Sequence, residues 1–176
     1  MEVSMSDEVL STISEIPNLP ENHLPRTNYV TWLHSTLRSG KRVVVVKGPE
    51  GKGKSTLLNE YIRSFPNQCI SYFIGADYWS SSPHSFLLEM CDQLIALQQE
   101  RIQPIDFNMS DNELESMFNT LYRRLAKRCH KEKLEFFFVI DGIDHVSKIA
   151  GDKTIIDLLP SDPPEGFYLL ISSSNE

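Results

Sequence analysis

Residues 48–55 read Gly-Pro-Glu-Gly-Lys-Gly-Lys-Ser, and no other stretch of the 176-residue chain restricts the fold so narrowly. The stretch fits G-x-x-x-x-G-K-[ST], the phosphate-binding loop, whose structural setting is a strand in front and a helix behind. Both are written beside it. Arg42-Val-Val-Val-Val-Lys47 is a β-branched run suited to a buried parallel strand. Thr56-Leu-Leu-Asn-Glu-Tyr-Ile62 has no breaker, and Leu58 and Ile62 stand one turn apart, which predicts a helix from the end of the loop. Gly48, Gly51 and Gly53, interleaved with Pro49, Glu50 and Lys52, let the main chain curl so that successive N–H groups point inward at an anion. The helix start adds free donors and the positive end of its dipole. Lys54 is then expected to reach β- and γ-phosphates and the Ser55 hydroxyl to ligate Mg²⁺, with Thr56 completing the turn. A Gly-rich strand-to-helix turn that binds nothing is the bland alternative. The sequence on both sides favours a nucleoside triphosphate.

The length suits one domain with a real core. A net charge of −7 argues against nucleic acid held by bulk electrostatics, so the cations a triphosphate needs must be local. No apolar stretch approaches the roughly 18 residues of a membrane helix, and the N-terminus lacks a basic-then-apolar signal pattern. Cys69, Cys91 and Cys129 are widely spaced, odd in number and lie in segments read as strand or helix. Buried free thiols in a reducing, cytoplasmic setting follow, and the scattered histidines offer no metal-ligand spacing.

Residues 1–25 read as an extended lead-in or linker, because Pro17, Pro20 and Pro25 break the short helix that Asp7–Ile16 could form. From residue 26 the chain alternates helix and strand. Thr27 looks like an N-cap for a helix with Val30, Leu33 and Leu37 inward and Gly40 as its terminator. Arg26, at its mouth, is on its own a solvent-facing charge. Cys69–Ile74 is a strand, 75–83 a polar loop, and a helix from Ser82-Pro83 carries Leu87, Met90, Cys91, Leu94 and Leu97, ending before Pro104. Ser110 to Glu113 is a capping box for a helix with Leu114, Met117, Phe118, Leu121 and Leu125 inward. The cations from Arg123 to Lys133 favour the negative end of that helix and read as a solvated face rather than a nucleic-acid patch.

Leu134-Glu-Phe-Phe-Phe-Val-Ile-Asp141 is apolar at six of the seven positions before its aspartate, which suits a central strand buried on both faces. A carboxylate at the C-terminal end of such a strand lies where ligands bind in open α/β sheets. Downstream of a phosphate loop, Asp141 is expected to hold Mg²⁺ opposite Ser55. Asp144, three residues on, could orient or deprotonate an attacking water, or could cap a turn. His145 is either a contact to that water or a bystander. Asp152–Leu159 predicts a short helix carrying Ile155, Ile156 and Leu159. Gly166–Ile171 is the last strand, and its polar tip, Ser172 to Asn175, should lie between the loop and Asp141.

Taken together these motifs resemble the signal-transducing P-loop ATPases of the STAND class, and within it the NACHT type. The resemblance is carried by Val46-Lys-Gly48 through Leu58, by Asp141-Gly-Ile-Asp144, by Leu159-Pro160 with Leu169-Leu-Ile-Ser-Ser-Ser174, and by Leu24-Pro-Arg26. It implies an α/β fold: a P-loop NTPase three-layer α/β/α sandwich with a mostly parallel sheet of the additional-strand type. It places the core in 26–176, incomplete after the fourth core strand, with the first strand left as a bare edge. It implies ATP/ADP and Mg²⁺ as cofactors, and Arg26 as a nucleotide contact. It further implies partner effector and sensor domains outside this chain, self-association of the full-length protein, and no direct nucleic-acid or membrane ligand. Departures are His145, where relatives of this type carry Glu, and serine at the sensor tip where they are often basic. The leading reading is an ATP-binding, slowly hydrolysing switch in signalling or defence. A nucleotide-stabilised scaffold without turnover is the second. A P-loop kinase is the third, and it lacks an Arg-rich lid unless the 123–133 cluster serves.

Overall fold

The computed structural model describes residues 16–77, 79–98, 105–106, 108–146 and 153–174. Its described elements alternate as the apolar periodicity predicts: α1 (Thr27–Arg38), β1 (Val43–Lys47), α2 (Lys54–Ser64), β2 (Cys69–Phe73), α3 (Pro83–Gln98), α4 (Asp111–Glu132), β3 (Phe136–Asp141), α5 (Ile155–Leu158) and β4 (Phe167–Ser173). The four strands form one all-parallel sheet in the order β1-β4-β3-β2. Parallel neighbours need crossovers, and here the helices supply them, burying the central strand β3 on both sides.

Alternation along β3 divides the core. Phe137 and Val139 point to one face, where they meet Val30, Leu33 and Leu37 of α1 and Leu58, Tyr61 and Ile62 of α2. Phe136, Phe138 and Ile140 point to the other, where they meet α3, α4 and α5. On the first face Phe137 stacks on Tyr168 at 5.2 Å and meets Tyr61 edge-on at 5.5 Å. On the second, Phe138 lies between Phe118 at 6.3 Å and Tyr122 at 6.0 Å. Cys69, Cys91 and Cys129 are free and buried, and burial pushes the Cys91 thiol up to about 12 and that of Cys129 to about 11.

Several local expectations change. The valine run does not lie buried on both sides. β1 is an outer strand, and Val43 and Val45 are 39% and 44% exposed, because among the described residues no helix covers their face at that rim. The residue ahead of α1 is Arg26, with Thr27 already helical. The Arg26 carbonyl accepts from Tyr29 N (2.8 Å) and Val30 N (3.1 Å), and no side chain caps the helix. In α5 the inward pair is Ile155 and Leu158, while Ile156 faces out. The capping box at Ser110 forms as read, with Glu113 N donating to Ser110 Oγ at 3.4 Å and Ser110 N to Glu113 Oε2 at 2.8 Å. The possible helix at Asp7–Ile16 falls almost wholly outside the described residues, as do Pro104 and Asp152. Among the described residues no helix is long and apolar enough to cross a membrane.

Candidate functional site

The opposite rim of the sheet shows how an edge can be closed. Gln93 of α3 turns its amide onto β2, accepting from Ser71 N and donating to Ser71 O, each at 2.8 Å. Nothing comparable covers β1 among the described residues, and the loop that follows β1 opens beside that bare edge.

Gly48 N extends the ladder by one bond to Ser173 O (3.3 Å), after which the chain turns through left-handed conformations at Gly51 (φ +72°) and Gly53 (φ +79°). Gly53 immediately precedes α2, whose first turn holds no acidic residue and no side-chain cap. The donors at its start therefore lack an intramolecular anion, and the macrodipole favours one there. Lys54 arches back over the loop, its ammonium donating to Gly48 O (2.6 Å) and Pro49 O (3.0 Å). Pro49, Glu50, Gly51, Lys52 and Ser55 are exposed; Thr56 is half-buried in the first turn.

Arg26 is not a free surface charge. Its guanidinium donates to the carbonyls of Gly53 (3.2 Å) and Lys52 (3.4 Å), and a Cβ on Gly53 would come within 2.5 Å of Nη2. Its backbone N–H donates to Glu60 Oε2 at 2.6 Å. Glu60 is buried on α2, and His23 Nε2 lies 3.2 Å from its other oxygen. Asn59 donates to Pro17 O, and Arg63 joins it. The segment ahead of α1 has no helix or strand of its own, yet it is tied to the helix that begins at the loop. Nothing in the sequence singled out Glu60, because one acid in a mixed helix reads as a solvated side chain.

The sheet order brings the second half of the site alongside. Val46 and Lys47 align with Ser172 and Ser173, and Ile171 aligns with Ile140, so the tip of β4 lies between the loop strand and Asp141. Asp141 is buried. The Ser172 hydroxyl donates to Asp141 Oδ1 and accepts from Gly142 N (2.9 Å), which fixes the carboxylate at the strand end. Asp144 sits in the 3-10 turn Ile143–His145 and is held by Ser174, whose N–H reaches Oδ1 at 2.9 Å and whose hydroxyl reaches Oδ2. Burial works against the Asp144 charge, but the Ser174 bonds, with smaller help from its own backbone and His145, hold the carboxyl below the usual carboxylate range. His145 Nε2 stands 3.9 Å away. The polar tip lies between the loop strand and Asp141, as its position in the sequence leads one to expect, and there Ser172 and Ser174 orient the two aspartates. A run of three serines carries no sign of such pairings, since they depend on the strand register.

The family model described as Nephrocystin 3, N-terminal matches residues 21–173, which spans every described element. The chain belongs to the nephrocystin 3 N-terminal family. That family is not itself a NACHT or P-loop NTPase family. The match begins two residues before His23 and ends at Ser173, so it takes in the Glu60 tether, the loop and Asp141 together. No curated protein matches the chain.

Proposed function

We propose that this chain binds a nucleoside triphosphate, ATP by preference, at Gly48–Ser55, and acts as a slow nucleotide-dependent switch of the STAND, NACHT-like type. The observation that carries the reading is the strand order: residues distant in sequence, the glycine loop after β1 and Asp141 after β3, stand at one sheet edge with a single strand between them. An additional strand intervening in this way is what the P-loop sandwich implied by the sequence resemblance requires. The residues suit the ligand. Left-handed glycines leave room for close approach of backbone to phosphate, an uncapped helix start favours an anion, and the Lys54 ammonium has only to exchange carbonyl partners for phosphate oxygens. Ser55 and Asp141 would hold Mg²⁺, whose charge would offset that of the phosphates. Arg26 buttresses the loop from outside through its carbonyls.

The geometry of Asp144 favours slow turnover. A carboxylate already taken up by two donors, with its affinity for a proton lowered, is a poor general base. The same observation supports the second reading, a nucleotide-stabilised scaffold. Effector and sensor domains outside this chain, self-association and a cytoplasmic setting belong to the proposal as well. The test is calorimetric titration of MgATP. Lys54→Ala should abolish measurable binding, and unchanged affinity in that variant would sink the reading. Phosphate release separates the two versions: Asp144→Asn slows it only if the chain hydrolyses.

A further inference from the structure

α4 buries one stripe, Leu114, Phe118, Leu121, Leu125 and Cys129. Beside that stripe, along the first half of the helix, lies a groove of about 450 Å³, floored by Met109, Met117 and Leu121 and edged by Glu113, Thr120 and Arg124. Met109 and Met117 are half-buried, packed against the core and open to the groove. Unbranched thioether side chains adapt to apolar guests of varied shape. The Thr120 hydroxyl is turned back onto its own helix, donating to Ser116 O at 2.9 Å. The same face then continues into cations. Residues three and four apart share a helix face, so Thr120 and Arg124 lead on to Lys127 and Lys131, with Arg123 at the flank. All four cations are exposed. The helix dipole favours cations in the last turn, where His130 and Lys131 stand, and fades beyond it. It does not account for Arg123, Arg124 and Lys127, one to two turns earlier. Acids do not account for them either. Among the described residues Arg123, Lys127 and Lys131 meet no carboxylate, while Glu132 is taken by Arg128 (3.0 Å) and Glu165 by His130 (3.2 Å). Like charges at i and i+4 repel, so a chain of net charge −7 keeps this stripe against the interest of its own helix. Glu113, the acid at the groove's edge, stands at the end away from the cations, its carboxylate accepting from Ser110 N (2.8 Å) and Ser110 Oγ (2.6 Å).

We propose that this face of α4 docks an acidic amphipathic helix of another protein, antiparallel to α4, with apolar side chains in the groove and carboxylates against Lys127 and Lys131. The groove supplies apolar anchorage, and the complementary charge sets register and direction. Antiparallel packing puts the guest's acids in its own first turns, where its dipole favours them, and its C-terminal half over Met117. The chain's own first residues set out from the far side, because Pro17 is bonded to Asn59 of α2, on the sheet face opposite α4. The proposal needs no nucleotide and stands or falls apart from the glycine loop.

The test is fluorescence anisotropy on the full chain with labelled helical peptides of about 18 residues, the length that spans Glu113 to Lys131 at a helical rise. One peptide carries glutamates in its first two turns and then leucines at i, i+3, i+4 and i+7; the other has the same blocks in reverse order. The first should bind, and the second should bind about tenfold more weakly. Lys127→Glu/Lys131→Glu, at exposed positions, should weaken the first peptide about tenfold or more, and added salt should weaken it on the parent and much less on the variant. A peptide with lysines in place of its glutamates should bind that variant and not the parent, which also shows the variant to be folded. Thr120→Asp, which sets a carboxylate in the groove, should weaken the first peptide by about tenfold as well. Equal binding by the parent and Lys127→Glu/Lys131→Glu overturns the proposal, as does equal binding of the two block orders or failure of both to bind. An all-glutamate peptide that binds as well as the first leaves charge alone and overturns the groove. Recruitment to vesicles of anionic lipid without peptide binding assigns the face to a membrane and overturns the helical guest. Displacement of the probe by a peptide of residues 1–15 gives the groove to the chain's own start and overturns the second protein.

Discussion

Gly142 and Gly53 both have positive φ, yet they differ in what surrounds them. A Cβ on Gly142 would lie 2.6 Å from the Ile74 carbonyl oxygen, which is fixed backbone, whereas a Cβ on Gly53 would meet the tip of a flexible arginine. Gly142→Ala should therefore destabilise by about 2–4 kcal/mol, and Gly53→Ala by about 1 kcal/mol, the latter while dislodging Arg26 from the loop; urea unfolding measures both. His34 and Asp144 are two of the side chains that make stability depend on acid. His34 stacks on Phe65 at 4.4 Å, and desolvation, with the charge of Arg38, lowers its pKa. Its unfolded form takes up a proton first, so the His34 contribution is whole above the ordinary histidine value of about 6.5 and declines as pH falls through and below it. Asp144, also lowered, contributes above the ordinary carboxylate value of about 3.9 and loses that contribution as pH drops further toward its folded value. Stability should thus fall in two stages on acidification, and His34→Gln should remove the first. The places of the loop, Lys54 and Asp141 at the ends of their strands were legible because each is marked within a short consecutive stretch. Glu60, Ser172 and Ser174 were not, since their roles come from partners many residues away.

The elements were predicted well where an apolar period of helix or strand is sustained, as in α3, α4 and β3. The valine run of β1 shows where composition misleads. Four consecutive valines imply burial on both sides, but burial depends on the neighbours a strand receives, and β1 receives one. β2 is also an outer strand, and its sequence gives no hint that a glutamine from α3 seals it. Gln93→Leu would leave the buried N–H and C=O of Ser71 without that amide. We expect a cost of about 2–4 kcal/mol, seen as a lower denaturation midpoint, together with faster aggregation from the uncovered edge. Gln93→Glu restores an acceptor but no donor and should fall between the two.

Across the whole molecule, β3 serves two cores at once. Phe137 and Phe138 are covalent neighbours that share no aromatic partner, one packed among Tyr61, Phe65 and Tyr168, the other among Phe118, Tyr122 and Phe167. Replacing either by alanine should cost about 3–5 kcal/mol. Leucine at both positions should cost nearly the sum of the single changes, within about 0.5 kcal/mol, in a single cooperative unfolding transition, because the two layers are joined through one sheet. The family match spans both layers and the part of the tether from His23 onward. The sheet is also one-sided in its capacity for growth. With Ser71 already occupied by an amide from within, the rim left open to a further extended segment among the described residues is that of Val43–Lys47. Its arrival there would be felt at once by the glycine turn that begins one residue later.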